Sequence, residues 1–316
     1  MPDTLYIVVP CYNEEAVLPE TSSRLKAELL RLIAAGLAGE DSRIMFVDDG
    51  SKDRTWELIE AYHTSDPIFS AVKLSRNRGH QNALLAGLMT AMQRADVTIS
   101  MDSDLQDDIG CLDEFMRQYY DGCDIVYGVR EDRAKDTAFK RRSAQAFYRM
   151  LKMFGVNVVY NHADYRLMSK RALEGLASFR EVNLFLRGLV PLIGYKTGTV
   201  KYSRGERFAG ESKYPLKKML GLAWDGVSSF SIRPMRLITI MSIIVLAVSL
   251  GLMIYSLVMA ILPGRTVPGW SVLTISIWLL GGLQLLALGV IGEYIGKIYS
   301  EIKDRPKYII ETILDQ

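Results

Sequence analysis

The stretch that decides the fold reads Leu5-Tyr6-Ile7-Val8-Val9-Pro10-Cys11-Tyr12-Asn13-Glu14-Glu15. A short apolar run, Leu5 to Val9, is closed by Pro10 and followed by polar residues, a pattern typical of a buried strand. Comparable runs recur further along the chain, at Ile44–Val47, Ala71–Leu74, Val97–Met101 and Ile125–Val129. Helical periodicity separates them, at Glu15–Leu32, Thr55–Tyr62, Gln81–Met92 and Leu112–Tyr120. This alternation predicts an α/β fold with a mostly parallel, helix-covered sheet.

The C-terminal third is much more apolar than the rest of the chain. No charged residue occurs in 237–262 or in 270–291, and each stretch exceeds the roughly 20 residues that a membrane-spanning helix needs. Two buried helices of a soluble core are the weaker alternative, because uncharged stretches of this length are rare outside membranes. We therefore predict a two-helix transmembrane hairpin over 235–293.

The basic residues around these spans predict the orientation. Only Arg265 lies between the spans, whereas basic residues flank them on the outer sides, at Arg233, Arg236, Lys297, Lys303, Arg305 and Lys307. The positive-inside rule then places the N-terminal domain and both termini in the cytoplasm. The expected location is the plasma membrane, with the chain crossing it more than once.

The remaining segments complete the predicted layout. We expect residues 1–213 to form a cytoplasmic domain and 294–316 to form a cytoplasmic tail. Apolar residues at helical spacing over 214–234 predict an amphipathic juxtamembrane helix; a helix packed against the domain remains an open alternative. The net charge of +2 is too small to indicate a nucleic-acid partner. Three cysteines without metal-type spacing argue against disulfides or a zinc site.

Acidic clusters follow three of the predicted strands. They contain Glu14 and Glu15, then Asp48 and Asp49, and then Asp102-Ser103-Asp104-Leu105-Gln106-Asp107-Asp108. Ligands of parallel α/β sheets bind beyond the carboxyl ends of the strands, so these clusters are expected to converge there. Mutually repelling carboxylates favour a cation, and Mg²⁺ or Mn²⁺ shared with a diphosphate meets that need.

Several motifs together resemble those of glycosyltransferase family 2, which has the GT-A fold. They are Val8–Glu14, Val47–Ser51, Asn77–Gln81, Met101–Gln106, Gly128–Arg130 and Arg207–Tyr214. Over its whole length the chain is similar to the dolichyl/undecaprenyl-phosphate branch, and its paired C-terminal spans resemble those of bactoprenol glucosyltransferases. Ser103 stands where family members usually have Ala, a small change.

The resemblance implies roles for individual residues. Pro10, Tyr12, Glu14, Val47 and Asp49 would hold the nucleobase and ribose, and Asp102 and Ser103 would continue that pocket. Asp104 would be the metal ligand, with Gln106 close by. Arg130, Arg207 and Lys213 would supply positive charge to the diphosphate and to the acceptor phosphate; a solvated basic face is the alternative for Arg207 and Lys213. Asp164 matches an acid near the sugar, the alternative being a helix cap or an ion pair with Arg166.

The implied reaction is an inverting transfer of a hexose, with glucose from UDP-glucose as the expected donor, onto polyprenyl phosphate. Mannose, N-acetylhexosamine and amino-arabinose fit the same residues, and a non-catalytic membrane scaffold with this fold is the non-enzyme alternative. A processive synthase is disfavoured because its Gln-x-x-Arg-Trp motif is absent from the sequence. His80 is interpreted as a helix-start residue. Small residues such as Gly281 and Gly282 would permit a homo-oligomer.

Overall fold

A computed structural model describes residues 2–130, 162–181, 185–203, 205 and 269–315, and parts of 235–255. In the first range strands and helices alternate as the sequence predicts. The strands are β1 (Leu5–Cys11), β2 (Arg43–Asp48), β3 (Phe69–Leu74), β4 (Val97–Ser100) and β5 (Ile125–Arg130). The helices are α1 (Leu18–Ala34), α2 (Thr55–Ser65), α3 (His80–Ala91) and α4 (Leu112–Tyr120).

The later described ranges add strands on both sides of this unit. They contain β6 (His162–Ser169), α5 (Lys170–Ala177), α6 (Leu186–Leu189), β7 (Thr197–Tyr202), α7 (Trp270–Ile302) and β8 (Ile310–Leu314). The eight strands form one sheet in the order β7-β5-β6-β4-β1-β2-β3-β8. β6 runs antiparallel to β4 and β5, β8 runs antiparallel to β3, and the other neighbours are parallel. The predicted α/β fold with a mostly parallel sheet is confirmed.

Apolar side chains cover both faces of the sheet. Alternate residues of β1 point to opposite sides, so that Leu5, Ile7 and Val9 pack beneath α1, α2 and α4, whereas Tyr6 and Val8 pack beneath α3, α5 and α6. This two-sided burial explains why the strands read as continuous apolar runs rather than as alternating ones. Because helices cover both faces, polar loops can gather at the carboxyl ends of the parallel strands, which we call the carboxyl edge of the sheet.

The C-terminal strand was not predicted. Residues 294–316 were expected to form a tail, but α7 continues to Ile302 and β8 joins the edge of the sheet beside β3. The register pairs Val72 with Ile313 and Lys73 with Thr312. The end of the chain is therefore fixed to the same sheet as its beginning.

One helix in the described part of the chain is long and apolar enough to cross a membrane. Its candidate segment is Leu279–Ile302, which overlaps the predicted span 270–291 but extends further towards the C-terminus. Residues 238–245, inside the other predicted span, are helical, but half of that span and the whole amphipathic segment 214–234 lie outside the described residues. The second crossing remains a prediction.

Candidate functional site

The loop after β2 holds two neighbouring carboxylates. Both oxygens of the buried Asp48 accept from the backbone amide of Ser51, at 3.3 Å. Asp49, only 2% exposed, accepts from the backbone amides of Arg78 at 2.7 Å and Gly79 at 2.8 Å. Burial raises the pKa of both carboxyl groups. Asp49 thus ties this loop to the start of α3, and its remaining lone pairs can still accept from a nucleobase.

Left-handed backbone conformations at this edge include Gly50 and Leu105. Gly50 has φ +65°, and a Cβ there would lie 2.7 Å from the backbone carbon of Arg76 and the nitrogen of Asn77, so the loop requires glycine. Leu105 has φ 57°, which is unfavourable for a residue with a Cβ. Such strain clusters at ligand sites, and Leu105 directly follows the predicted metal ligand Asp104.

The residues 102–108 after β4 form a loop that we call the acidic loop. Asp104, 8% exposed, accepts from the backbone amide of Gln106 at 3.2 Å. The carbonyl of Ser103 accepts from the hydroxyl of Thr21 at 2.8 Å, which holds the loop against α1. Desolvation raises the pKa of Asp102, and the charge of His80 offsets this only in part.

Asp107 is a buried carboxylate of the acidic loop with partners for only one of its two oxygens among the described residues. The hydroxyl of Tyr202 donates to its Oδ1 at 2.6 Å, and Nη2 of Arg130 lies 3.9 Å from the same oxygen. Its Oδ2 is buried and has no hydrogen-bond partner within the described residues. Burial, followed by the charge of Asp102, raises the pKa of Asp107 to about 6. A buried carboxylate with an unpartnered oxygen would be stabilised by binding a cation.

A second acid, Asp164 on β6, is surrounded by cationic groups that we call the Asp164 cluster. Nη2 of Arg166 lies 2.6 Å from its Oδ1, Nη2 of Arg187 lies 3.0 Å from its Oδ2, and Nε2 of His80 lies 3.6 Å from the same oxygen. Burial would raise the pKa of Asp164, but Arg187, His80 and Arg166 hold it well below its usual value. The ion pair with Arg166 that the sequence left as an alternative is therefore present.

His80 connects the Asp164 cluster to the acidic loop. It is the first residue of α3, as the sequence predicts, and its Nε2 lies 3.5 Å from Oδ1 of Asp102. Desolvation would lower the pKa of His80, but the carboxylates of Asp164 and Asp102 raise it above its ordinary value. The imidazole is thus biased towards its charged form.

The residues of the acidic loop fit a divalent ion whose remaining ligands would come from a bound diphosphate. In the ranges that the structure describes, no group of three or more His, Cys, Asp or Glu residues is placed to hold a metal by itself. However, Asp102 and Asp104 both raise the pKa of Asp107, whose Oδ2 lacks a partner among the described residues. Mg²⁺ is commonly held by one or two carboxylates together with substrate phosphates, and this loop offers such a partial shell.

The other predicted binding residues lie at different depths. Tyr12 is 40% exposed at the rim, and the amide of Glu14 donates to the hydroxyl of Thr55 at 2.9 Å.

The side chain of Val47 is completely buried beneath Gly87. A Cβ added to Gly87 would lie 2.5 Å from this side chain, so only the backbone of Val47 could face a ligand. Pro10 is buried in the same strand layer. Arg207 and Lys213 lie outside the described residues.

Sequence reasoning missed Arg187 and Tyr202 as parts of the site, and it gave Asp107 no role beyond its place in the third acidic cluster. Arg187 and Tyr202 come from segments with no family motif, and only the fold brings them to this edge. Arg166 carried a usable signal, since it is a charged residue inside the apolar run Tyr165-Arg166-Leu167-Met168. A cation at a buried strand position requires a buried acid as its partner.

Comparison with known proteins gives two kinds of match. The profile of "Glycosyl transferase family 2" matches residues 6–176, the range that contains β1 to α5. The chain is 53% identical over 310 residues to the uncharacterized glycosyltransferase YkoT of Bacillus subtilis (strain 168), covering 98% of this chain and 92% of that protein.

Other relatives have more specific names. The prophage bactoprenol glucosyl transferase homolog of Escherichia coli (strain K12) is 37% identical over 308 residues, covering 97% of this chain and 98% of that protein. The bactoprenol glucosyl transferase of Shigella phage SfII is 37% identical over 306 residues, or 96% of each. With its GT-A-like α/β fold and these matches, the chain belongs to glycosyl transferase family 2.

Proposed function

We propose that this protein transfers glucose from UDP-glucose to undecaprenyl phosphate, or a related polyprenyl phosphate, at the cytoplasmic face of the plasma membrane, with inversion at the anomeric carbon. One observation carries the proposal: the likeness to bactoprenol glucosyl transferases spans 97% of the chain and so includes the apolar helix α7 as well as the sheet. The lipid-linked sugar would serve as a donor for glycosylation of the cell envelope.

The loops after β1 and β2 are proposed to bind the nucleoside. Asp49 is fixed by the amides of Arg78 and Gly79 and accepts from the base, while Tyr12 and Glu14 close the rim. Asp102 and Ser103 continue the pocket towards the ribose. Because backbone hydrogen bonds hold the carboxylate of Asp49 in advance, little ordering is needed when the donor binds.

The acidic loop is proposed to hold the diphosphate through a shared Mg²⁺ or Mn²⁺. When bound, the ion would neutralise charge that develops on the leaving diphosphate. Asp104 is the proposed ligand, with Gln106 beside it. Arg130, which donates to Tyr202 at 3.2 Å, stands next to this loop and would add positive charge on the same side.

The acceptor phosphate requires no strong base, because it is already ionised at neutral pH. The state of Asp164 agrees with this, since three cationic side chains surround it and its pKa is held low; a carboxylate in that state is a poor proton acceptor. Asp164 would instead orient His80 and Arg187 near the sugar. Arg207 and Lys213 are the proposed clamp for the acceptor phosphate.

The position of β8 supports the proposed membrane topology. β8 follows α7 and pairs with β3 in the catalytic sheet, so the chain must return to the side on which the sheet lies. If α7 crosses the membrane once, a second crossing between Gly205 and α7 is required. The uncharged stretch 237–262 is the proposed second span, and its described residues 238–245 are helical.

The direct test is transfer of radiolabelled glucose from UDP-glucose into an organic-extractable lipid by purified full-length protein with undecaprenyl phosphate. We expect transfer that depends on Mg²⁺ or Mn²⁺ and stops with excess chelator. A parallel panel of nucleotide-linked mannose, N-acetylhexosamine and amino-arabinose identifies a different donor. Full turnover in chelator would contradict the metal role, and no transfer from any donor would favour a scaffold.

A further inference from the structure

A second polar site lies at the junction between α7 and the catalytic domain, and none of its described lining residues belongs to the acidic loop. It is a cavity of about 340 Å³ whose lining includes Arg78 and Asn82 from the domain and Tyr299, Lys303, Arg305 and Lys307 from the end of α7 and the segment after it. We call it the basic pocket. Among the described residues that line it, four are cations and none is an acid.

Two buried polar atoms in this lining lack a partner among the residues that the structure describes. Within the described residues, Nε of Arg78 and Oδ1 of Asn82 make no hydrogen bond, although the amide nitrogen of Asn82 donates to the carbonyl of Arg78 at 2.8 Å. Unpaired buried donors and acceptors are rare in native proteins, and each calls for a ligand or water. An anion with both acceptor and hydroxyl groups would satisfy both atoms.

The pocket begins where the apolar surface of α7 ends. Ile295, Ile298 and Ile302 are 60%, 56% and 78% exposed, so the apolar surface continues to the last turn of the helix. Lys303 follows immediately, and its Nζ lies 4.2 Å from the ring centroid of Tyr299. Tyrosine and basic residues at such a boundary are typical of the headgroup layer.

Acidic residues lie near this junction as well as basic ones. Nζ of Lys307 donates to the carbonyl of Phe179 at 3.1 Å. Burial lowers the pKa of Lys307, although the carboxylates of Glu181, Glu301 and Asp304 act in the opposite direction. These acids lie outside the lining, so the cavity itself presents positive charge.

We propose that the basic pocket binds the phosphate of an anionic glycerophospholipid headgroup, such as phosphatidylglycerol, from the cytoplasmic leaflet. The proposal rests on the membrane placement of α7 proposed above but not on the transfer reaction. Lys303 and Arg305 pair with the phosphate, and Arg78 and Asn82 hydrogen-bond the polar headgroup. Such a lipid would join α7 to the catalytic domain and fix the domain against the membrane surface.

The test counts lipids bound to the full-length protein in detergent by native mass spectrometry. Added phosphatidylglycerol is compared with phosphatidylcholine, for wild type and for a Lys303→Gln/Arg305→Gln variant. Each basic residue near a membrane surface contributes about 1 kcal/mol to anionic lipid attraction, so we expect the loss of two such residues to weaken phosphatidylglycerol binding roughly thirtyfold. The Lys170→Gln/Lys196→Gln variant removes two exposed charges elsewhere and should retain the wild-type amount.

Further arms identify the source of the phosphate. Equal retention of phosphatidylglycerol by wild type and the Lys303→Gln/Arg305→Gln variant would overturn the proposal. Displacement of the lipid by an equal concentration of inorganic phosphate would overturn the headgroup assignment. The same holds if the Lys303→Gln/Arg305→Gln variant loses binding of undecaprenyl phosphate but not of phosphatidylglycerol. Because binding is counted without any sugar donor, failure of this site is distinguishable from failure of the proposed reaction.

Discussion

The acidic loop and the Asp164 cluster place the same side chain in opposite electrostatic states. Asp107 is buried beside other acids, its Oδ2 has no partner among the described residues, and its pKa is raised to about 6. Asp164 is also buried but is paired with Arg166 and Arg187, and its pKa is lowered. The cluster is balanced by the protein's own cations, whereas the loop holds a buried carboxylate oxygen that has no partner among the described residues. This difference supports the proposal that the Asp164 cluster orients neighbouring side chains and that the acidic loop binds a ligand.

The strongest test of the comparison removes a charge from the acidic loop. Asp104→Asn should lower transfer by about 10³-fold, because stabilisation of the leaving diphosphate contributes on the order of 4 kcal/mol. Transfer of radiolabelled sugar to lipid measures the effect. Asp113→Asn, which alters a half-buried acid on α4 outside the acidic loop, should retain activity, and near-normal transfer by the Asp104 variant would contradict the proposed metal ligand.

The next largest effect is expected in the Asp164 cluster. Arg166→Met should lower the free energy of unfolding by about 3 kcal/mol, because it leaves a buried carboxylate short of one partner. Thermal melting in detergent measures the loss. Arg171→Met breaks a pair in which the arginine is 62% exposed and should cost much less. An equal loss of unfolding free energy in both variants would contradict the claim that burial makes removal of a partner from the cluster more destabilising.

The same cluster has a defined pH response. Since the pKa of Asp164 is lowered in the fold, its stabilisation is present above the unfolded value of about 3.9 and is lost as the pH falls through the folded value. Wild type should therefore keep this contribution in mild acid.

Asp107 should show the opposite pH response, with a smaller effect. Its folded pKa of about 6 exceeds the unfolded value of about 3.9, so protonation stabilises the fold, and this stabilisation is lost as the pH rises through about 6. Without metal, wild type should lose about 2 kcal/mol between pH 4 and pH 7 relative to Asp107→Asn. Melting curves across this range test it, and parallel pH profiles of the two proteins would count against the raised pKa.

The smallest effect is expected for an exposed pair at the edge of the sheet. Nζ of Lys73 lies 3.0 Å from Oε1 of Glu311, with side-chain exposures of 26% and 48%. Glu311→Gln should lower the free energy of unfolding by only about 0.5 kcal/mol, because solvent screens the pair. Thermal melting at low and high salt measures this change. A loss of unfolding free energy as large as that of Arg166→Met would mean that Glu311 stabilises the fold by more than its exposed ion pair.

The sequence predicted the parallel sheet and the three acidic clusters because both are local patterns. A strand buried on two faces is a continuous apolar run, and the residue after it must lie at the carboxyl edge. It did not predict β8, because a short edge strand near the end of a chain has little periodicity to distinguish it. The Asp164 cluster was foreseen only as a pair, since Arg187 comes from a different segment of the chain.

The sequence by itself determined the fold class, the carboxylates that line the edge of the sheet and the apolar character of the C-terminal region. These follow from the order and spacing of side chains, which burial and repulsion constrain directly. The tertiary structure decided which carboxylates are balanced and which are not, because that depends on cations brought from distant segments. It also decided that the end of α7 meets Arg78 in one basic pocket, since only the pairing of β8 with β3 returns the chain to the catalytic domain.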